Sequence, residues 1–200
     1  EGGIVITDND LFPDASISMN GMKMYAAARM GVSSFSFPYD KPYFDCDFAN
    51  SHPEWRCVSR DGFVVDTLSY AYPQVQDYMV EHLAQGIRYG FDGVTLLFSR
   101  GMAVMFEQPV LDRFAEKYGD AVDCRRLLLD DPRLTGIWSD IMTEFMRKLR
   151  VSLTAAAAED GFDTVIDGTN ASDDASDRPG MRALQEMNVL SPLRLCGIAK

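Results

Sequence analysis

The sequence is poor in the residues that common metal and redox sites require. Its only histidines are His52 and His82, which are too few for a polyhistidine zinc site or an H-E-x-x-H motif. The four cysteines are Cys46, Cys57, Cys124 and Cys196. None lies close to another, as zinc ribbons and redox motifs would require, so we predict buried or free thiols and no metal site. This cysteine usage favours a reducing compartment, and we expect a cytoplasmic location.

Positive charge and long apolar runs are also scarce. The chain has 19 Lys and Arg against 30 Asp and Glu, which gives a formal net charge of -11. Such a surface repels phosphate backbones and anionic lipids, so we predict neither a nucleic-acid nor a membrane partner. No apolar run reaches the roughly 18 residues of a membrane span. With 46% hydrophobic residues in a 200-residue chain, we expect a soluble protein with a sizeable core.

The first 62 residues predict a strand, a helix and a second strand, followed by a long loop. Ile4–Thr7 is a short β-branched run that ends in turn-forming residues. Residues 21–31 (GMKMYAAARMG) suit a helix closed by Gly31, and residues 32–37 read as a strand broken by a proline. Residues 38–62 mix prolines, aromatics and charges without a sustained period, which is typical of a loop.

Residues 73–150 have clearer helical and strand patterns. One helical face begins after Pro73 and comprises Val75, Met79, Leu83 and Ile87. The DGVTLLF run at residues 92–98 predicts a strand that is buried on both faces of a parallel sheet. A second helical face comprises Trp138, Ile141, Met142, Phe145, Met146 and Leu149. This alternation predicts an α/β fold made of successive β/α units, as in a barrel.

The resemblance to a known family is carried by four segments in order: HPEWRCVSRDG, LSYAYPQVQDYM, GFDGVTLLFSRG and FEQPVLDRFAEKYGD. Together they resemble the glycosyl-hydrolase-like proteins related to family ten over about residues 30–150. The resemblance implies a β/α barrel that acts on or binds carbohydrate, with no cofactor. A complete barrel needs about 250 residues, so we expect residues 1–150 to form a partial barrel segment.

Chemistry in barrels is placed at the carboxyl ends of strands, which directs attention to the residues after DGVTLLF. We predict Glu107 and Arg100 as catalytic residues and Ser99 as a substrate contact, with solvent access at this mouth. Glycosidases need two carboxyl groups flanking the sugar, and Glu107 would be one of them. The alternative is that Arg100 forms a structural ion pair with Glu107 or Asp92.

The HPEWRC segment supplies candidate substrate-binding residues, namely His52, Trp55 and Arg56. Aromatic faces stack on the apolar faces of sugar rings, so His52 and Trp55 would form a sugar platform. The alternative interpretation is that both rings only pack within a loop.

The final segment carries a second resemblance. DGTNASDDASDRPGMRALQEMNVLSPLRLCGIAK resembles the LarE-type ATP-dependent sacrificial sulfur transferases of the PP-loop superfamily, over about residues 153–200. The resemblance implies that residues 151–200 are part of a PP-loop α/β domain that uses ATP and Mg²⁺. The SGGxDS phosphate-binding loop of that superfamily does not occur in this chain.

The nucleotide-binding candidates of this segment are Asp167, Thr169, Asn170, Asp173, Asp174 and Arg178. The first three would leave a strand at its carboxyl end, where open α/β sheets bind ligands. The paired aspartates would hold a cation and Arg178 a phosphate or carboxylate. The alternative is an Asx-rich loop whose side chains cap a helix beginning near Pro179.

Three hypotheses follow from the two resemblances. The first is a carbohydrate-active or carbohydrate-binding protein, with a carbohydrate or small molecule as its partner. The second is a sulfur-transferase fragment that uses ATP and Mg²⁺. The third is an inactive composite or truncated chain. Unpaired sheet edges would also favour a homo-oligomer.

Overall fold

Two small sheets and four α-helices make up the part of the chain that the structure, a computed structural model, describes. The described residues are 4–7, 23–29, 31–32, 45–88, 90–91, 93–97 and 104–160. The strands are β1 (Ile4–Thr7), β2 (Lys23–Arg29), β3 (Arg56–Val58), β4 (Val64–Leu68) and β5 (Gly93–Leu97). The helices are α1 (Asp45–Ser51), α2 (Pro73–Arg88), α3 (Gln108–Tyr118) and α4 (Pro132–Asp160). Two 3₁₀ turns span Pro53–Trp55 and Cys124–Arg126.

The first sheet is parallel, with the strand order β1-β2-β5. The predicted strands β1 and β5 are confirmed, and β5 is parallel as expected. The helix predicted over residues 21–31 is wrong, because Lys23–Arg29 is the central strand of this sheet. An alanine run favours a helix locally, but pairing with a strand on either side overrides that preference. The α/β class therefore holds, while the described strands do not form a closed barrel.

The second sheet is an antiparallel hairpin in which Arg56 pairs with Leu68 and Val58 with Val64. Gly62 has a φ of 85° in the connecting turn, a conformation that favours glycine. The predicted loop over residues 38–62 is therefore only partly correct, because it contains α1, a 3₁₀ turn and β3. These elements are each seven residues or shorter, too short to establish a period. The strand predicted at residues 32–37 lies outside the described residues except for Val32.

Helix α2 begins at Pro73, as predicted, and ends at Arg88. Its termination follows a Schellman pattern, in which Gly90 N–H donates to the Ile87 carbonyl at 2.8 Å and Phe91 N–H to the Gly86 carbonyl at 3.3 Å. Gly90 has a φ of 88°, which suits this position. The predicted apolar face is buried: Val75, Met79, Leu83 and Ile87 are each at most 4% exposed.

Helix α4 contains 29 residues and confirms the helix predicted around Trp138. The Asp131 carboxylate caps its start by accepting the Arg133 N–H at 2.9 Å. The helix continues through residue 151, which is the predicted boundary between the two segments. Because residues 161–200 lie outside the described part, a separate second segment stays a prediction.

The core is built where α4 packs on α2 and α3. Ile141, Phe145 and Leu149 are fully or almost fully buried on α4, and the Phe145 ring contacts the Tyr70 ring at 4.6 Å between centroids. Burying each large apolar side chain contributes about 1.5–3 kcal/mol, far more than the exposed ion pairs on these helices. Among the described residues, the buried side chains from these helices form one hydrophobic cluster, which also includes Val32 and Val94.

Two of the four cysteines are described with their side chains, and Cys57 and Cys124 are both buried thiols that form no disulfide, as predicted. Burial raises the pKa of each thiol above its ordinary value. Neither is therefore a reactive thiolate at neutral pH. Among the described helices, none has the length and hydropathy of a membrane span.

Candidate functional site

Four half-buried rings, Phe48, His52, Trp55 and Tyr78, meet at the surface, and we call them the aromatic cluster. The His52 and Trp55 rings stack with 3.9 Å between centroids and an interplanar angle of 13°. The Phe48 and Tyr78 rings stack at 3.7 Å and 3°. Phe48 also contacts His52 at 4.9 Å and Trp55 at 5.8 Å, in tilted arrangements, so the two stacks form one group.

Short-range structure explains why the cluster forms. Phe48 lies on α1, four residues before His52, which follows the helix directly, so the two rings project from the same side. Pro53 begins the 3₁₀ turn, in which Trp55 N–H donates to the His52 carbonyl at 3.2 Å. This turn brings the Trp55 ring back onto the His52 ring. Helix α2 supplies Tyr78 from the other side.

Glu54 orients the His52 ring. The Glu54 carboxylate oxygen Oε1 lies 3.1 Å from His52 Nδ1. A hydrogen bond from its own backbone, followed by the one from His52, lowers the pKa of Glu54, so its carboxylate is ionised at neutral pH. An ionised carboxylate only accepts hydrogen bonds, so Nδ1 carries the proton and Nε2 of a neutral His52 ring is an acceptor.

Arg56 follows Trp55 directly and lies at the start of β3. Its guanidinium nitrogen Nη2 is 3.4 Å from the Asp66 carboxylate, across the hairpin on β4. The structure therefore places two of the three predicted substrate-binding residues of the HPEWRC segment, His52 and Trp55, in contact, and it pairs Arg56, the next residue, with Asp66.

Glu107 occupies a different environment from the one we expected. It precedes α3 and is 1% exposed, so the predicted solvent access at this carboxylate is wrong. Its Oε1 accepts hydrogen bonds from the Met105 N–H at 2.9 Å and from the Ser69 hydroxyl, and its Oε2 accepts from the Val58 N–H at 3.2 Å. A buried carboxylate needs such donors because it has lost its hydration shell.

The Glu107 charge affects the ionisable groups around it. Burial is the main cause that raises the pKa of Tyr72, and the Glu107 charge adds to it. The same two causes, in the same order, raise the pKa of Cys57. Both groups stay neutral at ordinary pH. Glu107 accepts hydrogen bonds from β3, from the segment after β4 and from the segment before α3, and so connects these three parts of the chain.

Ser69 connects Glu107 to the aromatic cluster. Its hydroxyl donates to Glu107 and accepts the Ala71 N–H at 3.1 Å, while its own N–H donates to the Trp55 carbonyl at 2.8 Å. The Glu107 carboxylate thus supports the backbone of Trp55 through one residue. In this geometry Glu107 positions other groups, and a substrate would have to displace its present donors to reach it.

Arg100 and Ser99 lie outside the described residues, so their proximity to Glu107 stays a prediction. The same applies to the nucleotide-binding candidates: Asp167, Thr169, Asn170, Asp173, Asp174 and Arg178. Within the described ranges, no group of three or more His, Cys, Asp or Glu side chains is arranged to hold a metal ion.

Sequence reasoning missed three contributors to this region, namely Phe48, Tyr78 and Ser69. The spacing of Phe48 and His52 by four residues was a usable signal, but residues 38–62 were predicted as a loop without helical register. Nothing local marks Ser69, because its role depends on partners 14 and 38 residues away in the chain.

Comparisons with known proteins give limited information. No family model matches the sequence, and no curated protein matches it significantly. One similar solved structure is the glycoside hydrolase domain of a PelA variant from Pseudomonas aeruginosa, with 13% sequence identity and a TM-score of 0.43. The match covers 95% of this chain and 64% of that domain, so the chain spans less than two thirds of it. The sulfur-transferase interpretation finds no support in these comparisons.

Proposed function

We propose that this chain binds carbohydrate through the aromatic cluster, with Trp55 and His52 as the central contacts. The observation that carries the proposal is the parallel His52 and Trp55 stack, which is partly exposed and has the Glu54 carboxylate at its edge. Sugar recognition needs flat apolar surface for the ring C–H groups and polar groups at the edge for the hydroxyls. His52, Glu54 and Trp55 offer both within four consecutive positions, residues 52–55.

The proposed activity is binding, because the predicted catalytic carboxylate is buried and already accepts hydrogen bonds from the backbone and from Ser69. Hydrolysis would require Glu107 to open to solvent and a second carboxyl group to flank the sugar. Glycoside hydrolysis by Glu107 with Arg100 is therefore a further proposal that depends on residues outside the described part.

Isothermal titration of the full chain with a panel of oligosaccharides tests the proposal. We expect binding by wild type and at least a tenfold loss of affinity in Trp55→Ala, because the substitution removes the central stacking surface. Phe63→Ala is the matched control, since Phe63 is an aromatic side chain that is 72% exposed on the hairpin and outside the aromatic cluster. Equal affinity of Trp55→Ala and wild type would contradict the proposal.

A fluorescence version of the experiment uses the fact that the chain has two tryptophans. Trp138→Phe leaves Trp55 as the sole tryptophan, and saccharide binding at the aromatic cluster should change its emission. Titration with ATP and Mg²⁺ forms the second arm. Heat from ATP but from no oligosaccharide would favour the sulfur-transferase hypothesis, and heat from neither would favour an inactive composite chain.

A further inference from the structure

We infer that the aromatic cluster selects uncharged saccharides over acidic glycans, and that Glu54 sets this preference. The inference rests on the proposed carbohydrate binding and adds the chemical class of the ligand. Its basis is the distribution of charged and hydrogen-bonding groups around the His52 and Trp55 stack.

The first observation is the position of Glu54. Its side chain is 58% exposed, lies between Pro53 and Trp55 in the turn, and contacts the edge of the His52 ring at 3.1 Å. A sugar that stacks on either ring brings its substituents within a few ångströms of this carboxylate. A uronate or sulfate group there would meet a like charge, whereas a hydroxyl group would donate a hydrogen bond.

The second observation is that the positive charge of Arg56 is already paired with a carboxylate. Arg56 is the basic residue next to Trp55, its side chain is 25% exposed, and its guanidinium is paired with Asp66. Asp47, which precedes Phe48 on α1, is exposed and adds a negative charge one residue from this ring. With a formal net charge of -11 over the whole chain, the wider field also disfavours an anionic ligand.

The third observation is the hydrogen-bonding character of His52. When the ring is neutral and its Nδ1 proton faces Glu54, Nε2 accepts hydrogen bonds. Saccharide hydroxyls can donate to Nε2, while carboxylate and sulfate oxygens cannot. The edge of the His52 ring thus suits a ligand that offers hydroxyl donors. This preference agrees with the negative charge of Glu54 beside the ring.

The test compares two oligosaccharides of equal length, a neutral oligoglucoside and an oligogalacturonate, by titration calorimetry at low ionic strength. We expect wild type to bind the oligogalacturonate at least fivefold more weakly than the oligoglucoside. Glu54→Gln should reduce this ratio of affinities about threefold. The glutamine keeps an acceptor oxygen for His52 and removes the charge. Added salt should also reduce the ratio of affinities in wild type, because the Glu54 carboxylate is exposed and its charge is screened.

Glu116→Gln is the charge-matched control, since it removes one exposed carboxylate from α3, a helix that contributes no ring to the aromatic cluster. It should leave the fivefold preference unchanged. Equal or tighter binding of the oligogalacturonate by wild type would overturn the inference while leaving carbohydrate binding intact. If Glu54→Gln and Glu116→Gln reduced the ratio of affinities equally, the role of Glu54 would also be overturned. Absence of binding to both oligosaccharides would instead overturn the proposed function itself.

Discussion

The backbone N–H of Ser69 donates to the carbonyl oxygen of Trp55 at 2.8 Å, which attaches the half-exposed tryptophan to the segment that follows β4. The hydroxyl of the same serine donates to Glu107, whose carboxylate is 1% exposed. A surface ring that is proposed to bind sugar is therefore supported by a buried carboxylate that makes no direct contact with the surface. This arrangement separates the residues that would touch a ligand from those that hold them in place.

The first prediction concerns Glu107 as a positioning residue. Glu107→Gln places an amide N–H₂ group among the donors that now face a carboxylate, so at least one donor loses its acceptor. We expect the free energy of unfolding to fall by about 3 kcal/mol, measured by urea denaturation. Ser69→Ala removes one neutral donor to the same carboxylate and should cost about 2 kcal/mol.

Ser59→Ala is the control for this pair. The Ser59 hydroxyl accepts the Phe63 N–H at 3.1 Å in the exposed turn of the hairpin, so its loss should cost less than about 1 kcal/mol. If Glu107→Gln kept wild-type stability but abolished a measurable glycosidase activity, Glu107 would be a catalytic residue, contrary to the positioning role.

The second prediction concerns His82, which is 8% exposed on α2. Burial lowers the pKa of His82 from 6.5 to about 4. Between about pH 6.5 and pH 4, His82 is protonated in the unfolded chain but stays neutral in the folded chain. The free energy of unfolding therefore decreases as the pH falls through this range. From these pKa values, His82 should lower the free energy of unfolding by about 2 kcal/mol between pH 7 and pH 5.

Urea denaturation at pH 7 and pH 5 measures this loss. His82→Gln should remove most of the difference between the two pH values, because glutamine does not titrate. His52→Gln, which replaces the other, partly exposed histidine, should retain the difference in stability between pH 7 and pH 5. A wild-type protein that is equally stable at both pH values would show that His82 does not have the depressed pKa.

The third prediction concerns Asp131 at the start of α4. Hydrogen bonds from the Arg133 side chain, and next from the Arg133 backbone, lower the pKa of Asp131 from 3.8 to about 2. The folded state therefore holds the ionised form more tightly than the unfolded state. Its contribution to stability is present above about pH 4 and is lost as the pH falls towards 2.

Thermal denaturation from pH 5 down to pH 2 follows this contribution. Asp131→Asn keeps a side-chain oxygen for capping but has no charge to lose, so its melting temperature should decline less steeply with acid than that of wild type. Asp120→Asn, in an exposed position after α3, provides the charge-matched comparison. Parallel acid profiles for wild type and Asp131→Asn would contradict the prediction.

Sequence patterns predicted the elements that are long or strongly apolar. The apolar face of α2 recurs at four positions, and each of these predicted core residues is buried. The DGVTLLF run and the Ile4–Thr7 run are strands, as their composition indicates. The HPEWRC segment also led to His52 and Trp55, which the structure places in contact. In each case neighbours within a few residues supply most of the signal.

Predictions failed where distant parts of the chain compete with local preference. Residues 21–31 have the alanine content of a helix, yet Lys23–Arg29 pairs with β1 on one side and with β5, more than 60 residues away, on the other. The placement of Glu107 after an apolar strand suggested an open mouth, but donors from Val58 and Ser69 enclose it. Such contacts have no signature in the sequence near the residue that they affect.

The amino-acid sequence alone determined the acidic charge, the periodic faces of α2 and α4, and the aromatic and polar residues of the HPEWRC segment, because composition and spacing are local properties. The tertiary structure alone decided that Lys23–Arg29 is a central strand, that Glu107 is buried, and that Ser69 joins it to Trp55. The physical reason is that strand pairing and burial depend on which distant segments share a core, and hydrogen bonds in that core outweigh local conformational preference.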